Sequence, residues 1–176
     1  VIPTDELPEK IQYIAGVDVA YNEAEGTMIG AIVILDANTL KVIEPAYHEM
    51  EITFPYVPGL FSFREIPAIL AAYKKLTIQP DIIVCDAQGI AHPKGVGMAT
   101  HLGITLDKPT IGCAKKRLIG SYDKSTLEKE RGATQYLLLE EDGFSPHAWK
   151  YSMKWCPDSY QFCHIAESSQ QRMFMN

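Results

Sequence analysis

Three apolar, β-rich runs separated by short turns open the chain. The runs cover residues 13 to 21, 29 to 36 and 41 to 53, and the turn-prone segment 22 to 26 separates the first two. Such runs predict strands, and the short connections between them predict antiparallel pairing of successive strands. We therefore expect a three-stranded antiparallel meander in the first third of the chain.

A helical period follows the proline- and glycine-containing loop at residues 55 to 59. Apolar residues repeat at helical spacing from about residue 64 to 76, where Pro67 would fall in the first turn. Proline is tolerated at that position because the first amides of a helix have no intrahelical partner. We therefore expect a helix over this segment.

The middle of the chain alternates strand and helix patterns. Residues 81 to 86 and 109 to 114 are buried-strand patterns, and residues 96 to 106 between them predict a short helix. Strands connected through helices usually pair parallel. The predicted fold class is α/β, a mixed β-sheet in which parallel strands extend the antiparallel meander and helices flank the sheet.

The pattern weakens toward the C-terminus. An apolar run at residues 136 to 139 follows a polar segment, and from Phe144 onward neither period is visible. We expect one domain over residues 1 to 143 and a divergent tail of unclear structure over residues 144 to 176. Because the chain starts with Val1 rather than Met, we also expect a missing upstream segment.

Composition describes a globular domain and changes the picture mainly through charge. No stretch approaches the roughly 20 apolar residues of a membrane helix, so we expect no membrane partner and a cytoplasmic location. The net charge of −6 argues against nucleic acid, yet residues 92 to 131 hold eight basic and four acidic side chains. That local charge of +4 leaves −10 on the rest of the chain, a segregation typical of a phosphate-facing side on an acidic body.

Carboxylates interrupt two of the apolar strands. Asp18 and Asp86 each lie in or directly after such a run, where an unpaired charge is costly, and Glu65 begins the predicted helix. If the two strands pair side by side, the three carboxylates can form one cluster of oxygen ligands. Clustered oxygens suit Mg²⁺ or Mn²⁺, whereas each residue alone would be an ordinary strand-end or helix-start acid.

Three further features surround this cluster in the sequence. Gly89, Gly97 and His92 lie in a glycine-rich loop that would allow close backbone approach to a ligand but is also a common turn. A basic triplet at 115 to 117 could stabilise charge on a phosphate, or be a solvated turn. The aromatic tip between Pro55 and Glu65 could separate stacked bases, or its aromatic rings could fill the local core.

The segments 14 to 21, 55 to 65, 86 to 103 and 109 to 118 together resemble the endonuclease V family of deoxyinosine-directed repair nucleases. The resemblance covers roughly residues 11 to 142. It implies a ribonuclease H-like fold and Mg²⁺-dependent cleavage, with Mn²⁺ as a substitute, at the second phosphodiester bond on the 3′ side of a deaminated adenine. It also implies a DNA partner that contains deoxyinosine, and we expect a monomer.

The motif match implies a role for each matched residue. The catalytic residues would be the carboxylates Asp18, Glu65 and Asp86, which hold the metal, and Lys115 near the scissile phosphate. The wedge that keeps the lesion strand open would be Tyr56, Val57, Pro58 and Gly59. The lesion pocket would comprise Phe61, Ala87, Gly89, Gly97 and Met98. The phosphate contacts would be His92, Lys94, Lys116 and Arg117.

Two departures from the family pattern leave alternatives open. Ala87 replaces a usual glycine, so its methyl group could crowd the base pocket, and the family's C-terminal strand and Gly-His pair have no counterpart after Gly143. One alternative is an endoribonuclease of the same fold that acts on inosine in RNA. Another is a catalytically impaired nucleic-acid-binding protein. A zinc site in the tail fits no known ligand spacing.

Overall fold

The computed structural model describes residues 8–123, 125, 134–139, 147–154 and 161–166. Within these residues the chain forms one mixed eight-stranded sheet and two α-helices. The spatial strand order is β3-β2-β1-β4-β5-β8-β7-β6. In chain order the elements are β1 (Tyr13–Asn22), β2 (Thr27–Asp36), β3 (Val42–Glu51), α1 (Phe61–Tyr73), β4 (Ile82–Cys85), α2 (Met98–Leu106), β5 (Thr110–Ala114), β6 (Thr134–Leu139), β7 (His147–Lys154) and β8 (Gln161–Ala166).

The predicted meander and parallel strands are both confirmed. Strands β1, β2 and β3 pair antiparallel in sequence order, and β4 then pairs parallel with β1. Strand β5 pairs parallel with β4 on its other side. The sheet therefore changes from antiparallel to parallel at β1, which becomes a central strand because β2 and β4 pair with its two edges.

The first helix starts earlier than its apolar period predicted. The Gly59 backbone adopts a φ of +80°, and the amide of Leu60 donates to the Val57 carbonyl at 2.9 Å, so a tight turn leads directly into α1 at Phe61. The expected first-turn position of Pro67 is therefore wrong. Pro67 lies in the second turn of α1, where it cannot donate the hydrogen bond that an interior amide would make.

The helices pack on one face of the sheet and form the main core with it. Fully buried core residues come from β1, β2 and β4 on the sheet side and from both helices on the other. Gly30 in β2 allows α1 to approach, since an added Cβ would lie only 2.5 Å from the backbone carbonyl carbon of Ala68. The core residues with no exposed surface include Ala15, Ile32, Ile34, Ile69, Ala72, Ile83, Cys85, Ala99 and Leu102.

Part of the C-terminal region extends the sheet. Strands β7 and β8 lie in the stretch where the sequence shows no period, and β8 pairs antiparallel with β5, placing the Cα atom of His164 opposite that of Gly112. The predicted domain boundary at residue 143 stays a prediction. Among the described residues no helix is long and apolar enough to span a bilayer.

Candidate functional site

The parallel pairing of β1 and β4 brings two carboxylates to one end of the sheet. The last paired residues of the two strands are Val17 and Cys85, and Asp18 and Asp86 are the next residues along each chain. Both carboxylates are accessible to solvent. The adjacency predicted for these two aspartates from the sequence is therefore present in the fold.

Helix α1 adds a third carboxylate to this neighbourhood. Glu65 is only 5% exposed, and its Oε1 accepts a hydrogen bond of 2.9 Å from the Tyr21 hydroxyl. Burial is the main cause that raises the pKa of Glu65 to about 7, and the negative charges of Asp18 and Asp86 raise it further. The Tyr21 hydrogen bond and the charge of Arg64 act in the opposite direction. The three carboxylates thus share one electrostatic environment.

A lysine supplies positive charge to the same group. The Lys115 ammonium, at the end of β5, forms a hydrogen-bonded ion pair with Oδ2 of Asp86. That contact, and more weakly the charge of Asp18, raises the pKa of Lys115. Because both partners are accessible to solvent, the pair is adjustable and can exchange for another contact.

The donor chemistry of this cluster fits a hard divalent cation. Three carboxylates with mutual repulsion lie beside one ammonium group, and oxygen ligands of this kind are those that Mg²⁺ and Mn²⁺ prefer. Among the residues whose side chains are described, no three acidic, thiol or imidazole groups are yet close enough to hold one ion. An ion bound here would compete with Lys115 for Asp86.

A cleft of about 650 Å³ opens beside Asp86 and Lys115. It is bounded by the loop before α1, the glycine-rich loop after β4, the start of α2 and the segment after β5. Its lining residues are Tyr56, Pro58, Gly59, Phe61, Ser62, Asp86, Ala87, Gln88, His92, Pro93, Val96, Gly97, Met98, Ala114, Lys115, Lys116 and Leu118.

The loop before α1 forms an exposed aromatic rim on this cleft. Tyr56 is 65% exposed and Phe61 is 37% exposed, and their rings meet edge to face with centroids 6.3 Å apart. The alternative in which these rings fill the core is therefore not what the structure shows. The two rings of the rim contact each other, and the Gly59 turn lies between them in the chain.

Most of the chain matches the model of one protein family. The family model described as Endonuclease V matches residues 1–154.

This chain belongs to the endonuclease V family.

The match extends past residue 142, the predicted limit of the resemblance, and includes all of β7.

Three relatives show how far the likeness reaches. The endonuclease V of Nostoc punctiforme is 50% identical over 139 residues, which is 78% of this chain and 62% of the relative. The crystal structure of endonuclease V from Streptomyces avermitilis has a TM-score of 0.78 at 36% identity and covers 93% of this chain and 70% of that one. Endonuclease V of Ciona intestinalis, 21% identical with a TM-score of 0.71, covers 93% and 74% and shares the fold.

These comparisons confirm the predicted ribonuclease H-like fold. They also show that the chain is shorter than its relatives, since it spans 57% to 62% of the length of the first three curated ones. Membership of the family therefore does not by itself assign the activity of those longer proteins to this chain.

The structure brings most of the predicted site residues to the cleft. The rim, the start of α2 and the end of β5 all line it. Asp18 is placed next to Asp86 by the strand register, and Glu65 is near enough for the charges of both aspartates to act on it. Besides Asp18 and Glu65, four of the predicted residues are not among its lining. They are Val57, Gly89, Lys94 and Arg117.

Each of these four has a definite place. Val57 accepts the amide that closes the Gly59 turn, and Gly89 accepts the Gly97 amide at 2.8 Å. The Lys94 amide donates to Nδ1 of His92 at 3.3 Å, so that the histidine is held in the loop. The Arg117 guanidinium lies 5.5 Å from the ring centroid of Tyr122.

The glycine-rich loop is confined between two glycines. A Cβ atom at Gly97 would lie 2.3 Å from the Gln88 carbonyl oxygen, and one at Gly112 would lie 2.6 Å from the Gly89 amide nitrogen. Sequence reasoning included Gly97 but missed Gly112, although a glycine inside a buried strand is itself a signal of close backbone approach. The Ala87 methyl group, expected to crowd the pocket, borders the cleft and also packs against the core.

Several other polar contacts at the cleft were not predicted. Nδ1 of His101 lies 3.0 Å from the Ser62 hydroxyl oxygen, and the Gln88 side-chain amide donates to the Lys116 carbonyl. These contacts join α1 to α2 and the glycine-rich loop to the segment after β5. Part of the predicted basic region, including Lys124, Lys129 and Arg131, lies outside the described residues, as do the tail side chains considered for zinc.

Proposed function

We propose that this protein is a metal-dependent endonuclease that recognises deaminated adenine in DNA and hydrolyses the second phosphodiester bond on its 3′ side. The observation that carries the proposal is the placement of three coupled carboxylates and Lys115 at the edge of one aromatic-rimmed cleft. The Ciona intestinalis relative, whose structure is in complex with DNA containing an inosine followed by a ribo-adenosine, supports an inosine-containing strand as the substrate.

The carboxylates of Asp18, Asp86 and Glu65 would hold Mg²⁺, for which Mn²⁺ would substitute. When bound, the ion would supply an activated water and would neutralise charge on the leaving oxygen. The three donors lie on or directly after three different elements, β1, β4 and α1, so the sheet and its covering helix set the positions of their backbones.

Lys115 would stabilise the phosphate as negative charge develops on it. The ammonium lies on the cleft lining, and its hydrogen bond to Asp86 orients it toward the carboxylate cluster. Lys116 lines the same wall and would contact a neighbouring phosphate.

The aromatic rim would keep the lesion strand open while the base occupies the cleft. Tyr56 is exposed enough to insert beside a base step, and a base that has left the stack can be enclosed by Phe61, Gly97 and Met98. The volume of about 650 Å³ lies within the usual range for a small-molecule site and exceeds what one purine needs.

The deciding experiment is a nicking assay on a duplex that contains one deoxyinosine. Wild-type protein with Mg²⁺ should cut only the lesion strand at the stated bond, and chelator or the Asp86→Asn substitution should abolish the cut. A matched duplex with adenine in place of inosine is the control substrate. Full activity of Asp86→Asn, with purity checked by mass spectrometry, would reject the assigned metal site.

RNA is the alternative substrate, and the same assay separates the two. Strands of identical sequence with inosine as the only lesion are compared as DNA and as RNA at equal Mg²⁺ concentration. Faster cutting of the RNA strand would move the proposal to an endoribonuclease, whereas lesion binding without cutting of either strand would support the impaired binding protein.

The proposal includes a monomer that acts in the cytoplasm. Size-exclusion chromatography with light scattering tests the oligomeric state, and fractionation of the source cells tests the location. A dimer that persists at nanomolar concentration would contradict the first of these expectations.

A further inference from the structure

Behind Glu65 lies a group of polar side chains that the proposed reaction does not use. The Tyr21 hydroxyl donates to Oε1 of Glu65 at 2.9 Å, and the Arg64 guanidinium lies 4.6 Å from the centroid of the Tyr21 ring. Arg64 in turn donates from Nη2 to Glu23 at 3.0 Å. These successive contacts connect the exposed Glu23, through Arg64 and Tyr21, to the buried Glu65.

Arg64 is unusual because it is buried while only partly satisfied. The residue is 8% exposed, and its Nε has no hydrogen-bond partner among the described groups. Burying a guanidinium with an unpaired donor is costly, so its position needs a compensating reason. Two contacts fix it: Glu23 accepts from Nη2, and the guanidinium lies against the Tyr21 ring.

We propose that Tyr21 is a positioning residue for Glu65 and that Arg64 and Glu23 hold Tyr21 in place. The hydroxyl fixes one carboxylate oxygen and so restricts rotation of the Glu65 side chain. Partners of this kind behind metal ligands usually determine how well the ligands are oriented. The inference rests on the proposed function, because it assigns Tyr21 a role in presenting Glu65 to a cation.

The protonation state of Tyr21 agrees with this geometry. An ordinary tyrosine hydroxyl is already protonated, and so a donor, at neutral pH. Burial and the adjacent Glu65 charge raise the pKa of the Tyr21 hydroxyl further. Tyr21 and Asp18 also lie on the same strand, so displacement of β1 would change the positions of both.

The test compares Tyr21→Phe with Tyr73→Phe by isothermal titration of Mn²⁺ into DNA-free protein. Both variants remove one tyrosine hydroxyl from a half-buried ring, but the Tyr73 hydroxyl bonds Gln79 away from the carboxylates. Tyr21→Phe should weaken Mn²⁺ binding roughly tenfold, the lower end of the usual effect of such partners, and Tyr73→Phe should leave it unchanged. The same titration of Asp86→Asn shows which part of the binding heat comes from this site.

Binding of the inosine duplex in chelator is the second readout. Tyr21→Phe should keep the wild-type affinity there, which a general disturbance of the cleft would reduce. An unchanged Mn²⁺ affinity in folded Tyr21→Phe would overturn the positioning role alone. Absence of Mn²⁺ binding by wild-type protein would overturn the proposed metal site and, with it, this inference.

A second variant avoids any dependence on the folding of Tyr21→Phe. Glu23 is 77% exposed at its side chain, so Glu23→Gln should fold normally while it weakens the hold on Arg64. We expect Mn²⁺ binding to weaken by less than the roughly tenfold loss expected for Tyr21→Phe, because the hydroxyl itself stays in place. If Tyr21→Phe does not fold, wild-type affinity in Glu23→Gln overturns the proposal.

Discussion

At the scale of single residues, two glycines that have no side chain determine how closely the backbone packs at the cleft. The loop that carries Ala87, Gln88 and Gly89 fits between the backbones of Gly97 and Gly112, with no room for a Cβ on either. Gly97 has an ordinary φ, which any residue could adopt, so the requirement for glycine comes from the neighbouring carbonyl groups and not from backbone strain.

We expect Gly97→Ala to destabilise both the fold and the cleft. The added methyl group forces the Gln88 carbonyl to move, and overpacking of this kind costs about 1–3 kcal/mol in the free energy of unfolding. Urea unfolding followed by circular dichroism measures it. Gly16→Ala is the control, because a Cβ at Gly16 meets no atom within 4 Å. Equal stabilities of the two variants would disprove the packing argument.

Lys115 gives the second residue-scale prediction. Since its ammonium occupies an oxygen of Asp86, Lys115→Met should tighten Mn²⁺ binding while the cleavage rate at saturating metal falls roughly hundredfold. Titration calorimetry and single-turnover cleavage measure the two effects separately. Weaker Mn²⁺ binding in this variant would show that Lys115 supports the metal site and does not compete with it.

At the scale of elements, α1 contains an unfavourable residue in its second turn. Pro67 lacks an amide, and its ring crowds the carbonyl of the preceding turn. We expect Pro67→Ala to stabilise the protein by about 1–3 kcal/mol, an amount reduced by the greater freedom of the unfolded chain. The melting temperature measures the gain. A lower melting temperature would mean that the proline ring makes contacts worth more than the lost hydrogen bond.

Strand β3 is tied to the loop after α1 by one carboxylate. Glu44 accepts the amides of Thr77 and Ile78, both at 2.9 Å, and these backbone hydrogen bonds lower its pKa below the ordinary 4.5. A lowered pKa in the folded state means that this stabilisation is complete above the unfolded value of 4.5. It is lost as the pH falls through the lower folded value.

Glu44→Gln should therefore reduce stability at neutral pH, and the difference from wild type should shrink as the pH falls below 4.5. Thermal melts of both proteins between pH 3 and 7 follow this difference. A difference that does not depend on pH would indicate that shape, and not charge, determines the contact.

Strands and helices were predictable from the sequence where their own residues show the apolar pattern typical of that element. Strands β1 to β5 were found within about two residues, because alternating or continuous apolar runs define them. The start of α1 was missed because the Gly59 turn, and not the apolar spacing, sets it. Strands β7 and β8 were missed because that stretch shows neither period.

The candidate site was predictable only in part, for a related reason. Asp18 and Asp86 could be identified because an unpaired carboxylate in or beside an apolar strand is energetically costly. Tyr21 and Arg64 look ordinary in sequence, since their importance comes from contacts across 44 and 41 positions. Gly112 likewise depends on a loop that packs against it only in the fold.

At the scale of the whole molecule, the net charge of −6 opposes bulk attraction to DNA. The described basic residues at the cleft are few, so affinity for undamaged duplex should be modest and should fall with salt. Fluorescence anisotropy with an inosine-free duplex at several salt concentrations measures this slope. Lys116→Ala should reduce the slope by about one ion and leave discrimination between inosine and adenine unchanged. Loss of discrimination would make Lys116 part of base recognition.

The parallel register of β1 and β4 also determines when the site can exist during folding. Its two aspartates belong to strands whose partners, such as Ala15 and Ile83, lie 68 positions apart, whereas the β1 to β3 meander joins neighbours. Closing that long loop comes at a greater entropic cost than the hairpins, so the carboxylates should meet after the meander has formed. The moment at which metal binding appears during refolding would therefore report when β4 pairs with β1.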